Sequence, residues 1–327
     1  MDFAWTAIAD APGAAHLVTS VRRESVPTRR QGFVRVRMLA AAINPSDLIT
    51  ISGAYARTVF PFRAGFEGVG VVTDADPGCG FAIGDRVVPI RSSGAWSTLR
   101  DVRVQDCVPV PPTIPDEQAA TSFVNPLTAL NGVERFVTDH RPVVITAASS
   151  TIADHFAALL RLRGVPPVGV VRNGLSRIRR PHLWKTVIRA DRPDWTDRLH
   201  QASAGASVVF DAVGGTHAVE VATAVHTGRT KLVGYGLLSG RPIDSTRLPA
   251  GTEPTFLHLR SLVHGGDQEG VRDRFAVVFS LIENGTLSTD IARRFPFDQV
   301  RAALAWSGTH TGKALLRFSN DDTGGSS

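Results

Sequence analysis

Cysteine, tyrosine and lysine are all scarce in this chain of 327 residues, and each scarcity excludes something. Cys79 and Cys107 are the only cysteines, too few for a disulfide framework or a four-thiolate zinc site, and in keeping with a reducing compartment. No apolar run reaches the roughly 18 residues needed to cross a bilayer, and the first residues lack the basic, apolar and small-residue order of a signal peptide. The cytoplasm is therefore the expected location, with no membrane partner. Lysine is confined to Lys185, Lys231 and Lys313, so the 36 basic residues, which leave a net charge of +6, are almost all arginine. Such a balance can signal a nucleic-acid partner. Only VRNGLSRIRR (171–180) is a dense basic cluster, however, and no aromatic residue interleaves it for base stacking. A small anionic ligand suits it better, and no nucleic acid is expected.

With 43% hydrophobic and 20% charged residues the chain is globular, and its length favours two domains. The first third carries short apolar runs, FVRVRMLAA (33–41), EGVGVVTDA (67–75) and DRVVPI (85–90), broken by Gly, Pro and Asp turns. Strands at that spacing without helices between them predict a compact, barrel-like domain. From residue 115 the rhythm changes: DEQAATSFVNPLTALNGVERF (116–136) reads as helical. Strands are then expected at 143–147, 168–171, 186–189, 207–211 and 231–235, alternating with helical segments. That alternation predicts a parallel, doubly wound sheet. Amphipathic helices at 271–285 and 298–306 and a strand at 312–318 follow, where the chain is expected to return to its first domain. The division expected is 1–117 with 266–327 against 118–265.

One further absence bears on chemistry. A dinucleotide-binding turn uses glycines for its tight bend and for close approach of backbone to pyrophosphate. The segment in that place, ITAASSTIADHF (145–156), has none. Backbone N–H groups at a helix start still accept an anion, and Ser149, Ser150 and Thr151 add hydroxyls, so Ser149, Ser150, Thr151 and Ile152 are candidate cofactor contacts. Asp154 works against a phosphate there. At the end of the next strand, where an NAD site carries an acid for the ribose 2′-hydroxyl, this chain has Arg172, with Arg177 nearby. Arginine there suits a 2′-phosphate, so NADPH is the expected cofactor. No metal is expected, because neither cysteine has a companion ligand at suitable spacing.

Several motifs in fixed order carry a resemblance: INPSD (43–47), SGAY (52–55), GFEGVGVV (65–72), GDRVVP (84–89), GAWST (94–98), AATSFVNPLTA (119–129), VVR (170–172), DAVGG (211–215), LVGYG (232–236) and GKALL (312–316). Together the set resembles the zinc-independent branch of the medium-chain dehydrogenase/reductase superfamily, most closely the trans-2-enoyl-thioester reductases, with quinone oxidoreductases as cousins. The resemblance implies an α/β fold: a GroES-like β-rich catalytic domain plus a Rossmann domain. It implies NADPH-dependent reduction of an activated C=C bond in a small-molecule substrate. Tyr55 is implied as the group assisting protonation, Asn44 as a second catalytic residue, and Trp96 and Phe66 as substrate-pocket residues. Asn125, Tyr235 and Gly236 are implied cofactor contacts. Asn44 and Phe66 stand where zinc-dependent relatives place a Cys and a His ligand. LRSLVHGG (259–266) resembles the edge strand that pairs in family dimers, which predicts a homodimer. A quinone reductase and a non-enzymatic scaffold are the competing readings.

Overall fold

The computed structural model describes residues 2–54, 58–252, 254–265 and 268–319. They divide into two units, Met1–Val124 with Arg260–Ser327, and Asn125–Leu259. In chain order the elements are β1 (Asp2–Ala9), α1 (Ala15–Val18), β2 (Thr19–Val26), β3 (Phe33–Ile43), α2 (Pro45–Ile51), β4 (Phe62–Arg63), β5 (Gly68–Asp74), β6 (Arg86–Pro89), β7 (Leu99–Arg103), β8 (Cys107–Pro109) and α3 (Asp116–Ala119). Next come α4 (Val124–Phe136), β9 (Val143–Thr146), α5 (Thr151–Leu162), β10 (Val168–Val171), β11 (Thr186–Arg189), α6 (Trp195–Ala202), β12 (Val208–Asp211), α7 (Gly215–Val225), β13 (Lys231–Gly234) and β14 (Pro254–Phe256). The chain closes with α8 (Leu259–Gly265), α9 (Gln268–Glu283), β15 (Ile291–Pro296), α10 (Val300–Thr309) and β16 (Lys313–Arg317).

The first unit is organised by β3. Its even-numbered side chains Val34, Val36, Met38 and Ala40 are buried, the period-two signature of a strand covering a core. β3 pairs antiparallel with β5 along one edge; along the other it pairs with β7 through Phe33–Arg37 and with β16 through Ala40–Ile43. The last strand of the chain is thereby stitched beside one of the first. A second sheet, in the order β2-β1-β4, joins this unit. Between β3 and β5, Gly65 takes φ +91°, and a Cβ there would lie 2.3 Å from Cδ1 of the fully buried Trp96.

The second unit is one parallel sheet in the order β11-β10-β9-β12-β13-β14. Numbered within the unit, that is 3-2-1-4-5-6, the Rossmann order. Its four central strands are buried along nearly their whole length, as parallel strands covered on both faces must be. On one face Phe156 of α5 stacks on Phe210 of β12, with ring centroids 4.4 Å apart.

Two expectations need correction. The helix expected over 116–136 breaks into α3 and α4, because the Thr121 and Ser122 hydroxyls donate to the carbonyls of Glu117 and Ala119 and end the first helix. The edge strand expected at 259–266 is helical over Leu259–Gly265: Leu259, Leu262 and Val263 lie at i, i+3 and i+4, and Val263 is the one buried. The sheet edge is formed by β14 instead.

Gly65→Ala combines a left-handed backbone with a clash against Trp96 and is expected to cost about 3 kcal/mol or more. Gly32→Ala, at φ +79° with nothing within 4 Å of the added carbon, is expected to cost about 1–2 kcal/mol. Urea unfolding of both variants measures the difference; equal losses would remove the packing term.

Candidate active site

The first unit holds a buried polar cluster whose members come from three separate stretches of sequence. Asn44, at the start of α2, is 1% exposed; Asp47 and Glu67 are fully buried and Lys313 is 3% exposed. The Lys313 ammonium donates to Asn44 Oδ1. Asn44 Nδ2 donates to Glu67 Oε1 at 3.0 Å, and Glu67 Oε2 accepts the backbone N–H of Val124. Asp47, three residues into α2, accepts the backbone N–H of Asn44 at 2.8 Å and that of Phe66 at 3.1 Å on its two oxygens. A short helix start thus uses its own acid to fix the chain on both sides, with Pro45 placed where a missing N–H costs nothing.

Burial dominates the titration of this cluster. It pushes the Asp47 carboxyl up to about 7, against the N–H donated by Asn44 and reinforced by the negative charge of Glu67. Glu67 is raised by burial too, opposed by the charge of Lys313 and by its hydrogen bonds. Burial likewise lowers Lys313, against the pull of both carboxylates.

Asn44 and Phe66, expected at the site from the motifs, are brought together through the single carboxylate of Asp47. The Phe66 ring is half-buried and lies 5.9 Å from that of Phe62. Trp96, expected in a substrate pocket, is fully buried and its indole N–H donates to the Ala42 carbonyl at 3.0 Å. It packs as a core residue beneath Gly65. Tyr55 lies outside the described residues. Asp47, Glu67 and Lys313 were not singled out from the sequence. Two signals were present: Glu67 stands within an apolar run, and Lys313 is one of three lysines in an arginine-rich chain, at the head of an apolar strand.

In the second unit the glycine-free turn follows β9. Ala147 takes φ +50°, the left-handed conformation that a glycine would adopt freely. Ala148 donates its N–H to Val170 O at 3.0 Å, and a Cβ on Gly169 of β10 would approach the Ala148 Cβ to 2.8 Å. The room that a glycine-rich turn provides within itself is here provided by a glycine on the adjacent strand. Ser150 caps α5, its hydroxyl accepting the Ala153 N–H at 3.3 Å. The N–H groups of Thr151 and Ile152, in the first turn, have no acceptor within the helix. Asp154, 4% exposed, is not aimed as a free charge: Arg180 holds its Oδ2 through Nη2 at 2.7 Å and Nε at 2.8 Å. The acid expected to oppose a phosphate is neutralised inside the protein.

Arg172, just beyond β10, and Arg177 are both exposed. Asn125 is buried in the first turn of α4. The Tyr235 ring packs 5.1 Å from that of Phe156, and its hydroxyl is a buried polar atom with no hydrogen-bond partner among the described residues. Burial, aided by the charge of Asp211, raises that phenol and keeps it protonated. At Gly236 a Cβ would lie 2.7 Å from the Ala212 carbonyl oxygen, so only glycine fits. Asp211 is fixed by the Thr146 hydroxyl at 2.8 Å and the Gly214 N–H at 2.7 Å, tying the ends of β9 and β12.

Two family models match the chain: alcohol dehydrogenase GroES-like domain over residues 30–112, and zinc-binding dehydrogenase over residues 184–316. A mitochondrial enoyl-acyl-carrier-protein reductase of Arabidopsis thaliana is 30% identical over 84% of this chain and 77% of its own length. The chain belongs to the medium-chain dehydrogenase/reductase superfamily, on its enoyl reductase and quinone oxidoreductase branch. The same branch supplies enoyl-acyl-carrier-protein reductases of Caenorhabditis elegans and Xenopus tropicalis, at 31% and 32% identity, of which the chain matches 63% of the length. Among solved structures, an NADPH:quinone reductase of Bacillus thuringiensis is 26% identical with a TM-score of 0.87, covering 96% of this chain and 99% of that one. The mitochondrial 2-enoyl thioester reductase Etr1p/Etr2p heterodimer of Candida tropicalis shares the fold at 19% identity and a TM-score of 0.82, covering 97% of this chain and all of that one.

The zinc in the second family model's description does not fit this chain. Asn44 and Phe66 are an amide and a hydrocarbon, and neither supplies a ligand that holds zinc. Among the described residues no group of three or more His, Cys, Asp or Glu side chains could hold a metal ion. No helix among them is long and apolar enough to cross a membrane.

Because Asp47 keeps its proton to about pH 7 when folded and to ~3.9 when unfolded, the folded state binds more protons between those values. Stability therefore falls as pH rises through that window, at up to about 1.4 kcal/mol per pH unit for one proton, and the whole cost is present above pH 7. Asp47→Asn is expected to flatten that slope in urea unfolding at pH 5, 6 and 7. An unchanged slope would place the titration elsewhere.

Proposed function

We propose that this protein is an NADPH-dependent reductase of an activated C=C bond, with a 2-enoyl thioester or a related α,β-unsaturated carbonyl as substrate. The observation that carries the reading is the match to the Arabidopsis enoyl-acyl-carrier-protein reductase along most of both chains. The second unit fits the cofactor: the Ser150-capped start of α5 offers two free N–H groups to a diphosphate, and Asp154 is already neutralised. Arg172 and Arg177 are exposed to hold a 2′-phosphate, and Gly236, packed on the Ala212 carbonyl just beyond β13, is proposed to offer its backbone to the cofactor. Ser149, Asn125 and the unpartnered Tyr235 hydroxyl complete the proposed contacts. NADPH, when bound, supplies the hydride that reduces the double bond at its β-carbon.

The protein's own residues then manage charge and protons. Reduction at the β-carbon leaves an enolate, its charge shared between the thioester oxygen and the α-carbon, and a phenol at Tyr55 delivers the proton that the α-carbon takes up. Such general-acid help is worth roughly 10² to 10⁴ in rate. Asn44 adds a fixed amide donor, and Phe66 an apolar wall. A second reading, an NADPH:quinone oxidoreductase, is favoured by the 26% identity to the Bacillus thuringiensis structure. Quinone reduction places both protons on oxygen and needs a carbon-directed donor far less.

A cytoplasmic homodimer is part of the proposal. Its contact is β14, an edge strand on which Phe256 is 49% exposed, and sedimentation at micromolar concentration showing monomer alone would remove it.

Turnover of crotonyl-coenzyme A, other enoyl thioesters, enals and quinones, followed by NADPH consumption, tests the assignment. Tyr55→Phe is expected to lower enoyl thioester reduction at least 100-fold while leaving any quinone reduction within about threefold. Equal effects on both would remove the protonation role. Arg172→Ala with Arg177→Ala is expected to raise the KM for NADPH at least tenfold and to leave the KM for NADH unchanged, because a charge-assisted pair contributes about 1.5–3 kcal/mol.

A further inference from the structure

The Asn44 carboxamide has two ends that differ only in what they can bond, and its environment permits one orientation. Lys313 Nζ carries donors and no acceptor; an ionised Glu67 carries acceptors and no donor. With Lys313 on Oδ1 and Glu67 Oε1 on one Nδ2 hydrogen, the amide is satisfied at both ends. Rotated by half a turn it would set its NH2 against an ammonium and its oxygen against a carboxylate, among buried groups. One hydrogen of Nδ2 is left over, and its direction is fixed by the other two contacts. An ammonium on the amide oxygen also draws electron density from the nitrogen, which strengthens that hydrogen as a donor.

Neither partner can wander. Lys313 heads β16, whose next residue Ala314 pairs with Ile43, the residue before Asn44. Glu67 is held by the Val124 N–H and precedes Gly68, which pairs with Ala41 of the same strand β3. Asp47 fixes the backbone of Asn44 itself. The lysine, the acid and the amide are therefore registered by one β-sheet.

We propose that Lys313 is a positioning residue for the reductase reaction: it fixes and polarises the Asn44 carboxamide so that its remaining Nδ2 hydrogen is a preset donor to the reacting groups. The role rests on the reductase reading above and on Asn44 being the group that touches substrate or cofactor. Lys313 acts through Asn44 alone.

The test is a double-variant cycle on crotonyl-coenzyme A reduction, with one arm that does not depend on turnover. Lys313→Met is expected to lower kcat at least tenfold with the KM for NADPH within twofold, and Lys313→Arg to recover most of that loss. In an Asn44→Ala background, Lys313→Met is expected to lower kcat less than twofold further. A full tenfold loss in that background, or a loss carried by KM, would overturn the proposal and leave Lys313 a structural residue. If Lys313→Met does not fold, Lys313→Gln, which keeps a donor for Oδ1 without the charge, runs through the same cycle against the same outcomes. The second arm is hydrogen exchange of the Asn44 carboxamide by ¹⁵N NMR: slow in the wild type and at least tenfold faster in the lysine variant. Equal exchange rates in the two would overturn the positioning role whatever the activity. A wild type that turns over neither enoyl thioester nor quinone would refute the reductase reading, while the exchange arm still decides whether Lys313 fixes the amide.

Discussion

A buried lysine that finds an amide and two carboxylates is the constraint from which the first unit is built. Charges taken out of water cost several kcal/mol each, and only a complete set of partners offsets that. The partners lie at positions 44, 47, 67 and 313, so they assemble only when the last strand of the chain lies beside one of the first. A discontinuous unit, interrupted by more than a hundred residues, has its two ends joined by a polar contact as well as by a strand pairing. Apolar packing around Met38, Trp96 and Leu316 already opposes a slip in register, and this cluster adds directional contacts to it. The same contact that closes the sheet fixes Asn44, so structural closure and the geometry of a candidate catalytic amide are one requirement.

The nucleotide half solves a different problem. A turn with side chains at every position gives up the steric freedom of glycine, and the structure shows two adjustments made elsewhere. Gly169 on the neighbouring strand leaves space for Ala148, and Arg180 cancels Asp154 at the helix start. What remains is a capped helix N-terminus without an opposing charge, facing the same physical task as the glycine-rich form. Ala147 still bears the cost of a positive φ, about 1–2 kcal/mol by the usual steric argument. The anion-binding property of such a turn belongs to its backbone, so the loss of the glycines does not by itself remove it.

Much of this was legible in the residues. The apolar run at 168–171 became a strand at those bounds, because a fully buried parallel strand leaves an unbroken hydrophobic signature; the half-buried edge strand at 186–189 also falls at its expected bounds. Thr151 with Asp154 three residues on resembles a capping box, one residue beyond the actual cap, Ser150, and the helix ends at Leu162, just before Gly164. The segment at 259–265 was misread because a short apolar pattern fits an edge strand and a helix equally well. The polar cluster was hidden for a different reason. Its members are far apart in sequence, each is unremarkable alone, and only the pairing of β16 with β3 makes them neighbours. The ion pair of Asp154 with Arg180 was out of reach for the same cause: nothing local says which of several nearby arginines turns inward.

The account stands on hydride delivery to carbon. The most direct measurement is reduction of crotonyl-coenzyme A with NADPH carrying deuterium at both C4 positions of the nicotinamide, in deuterium-free water, with the product read by NMR and mass spectrometry. One deuterium at the β-carbon of the saturated thioester, with hydrogen from solvent at the α-carbon, is the predicted result. A product without deuterium at the β-carbon, or consumption of NADPH by quinones with none by the thioester, would contradict it.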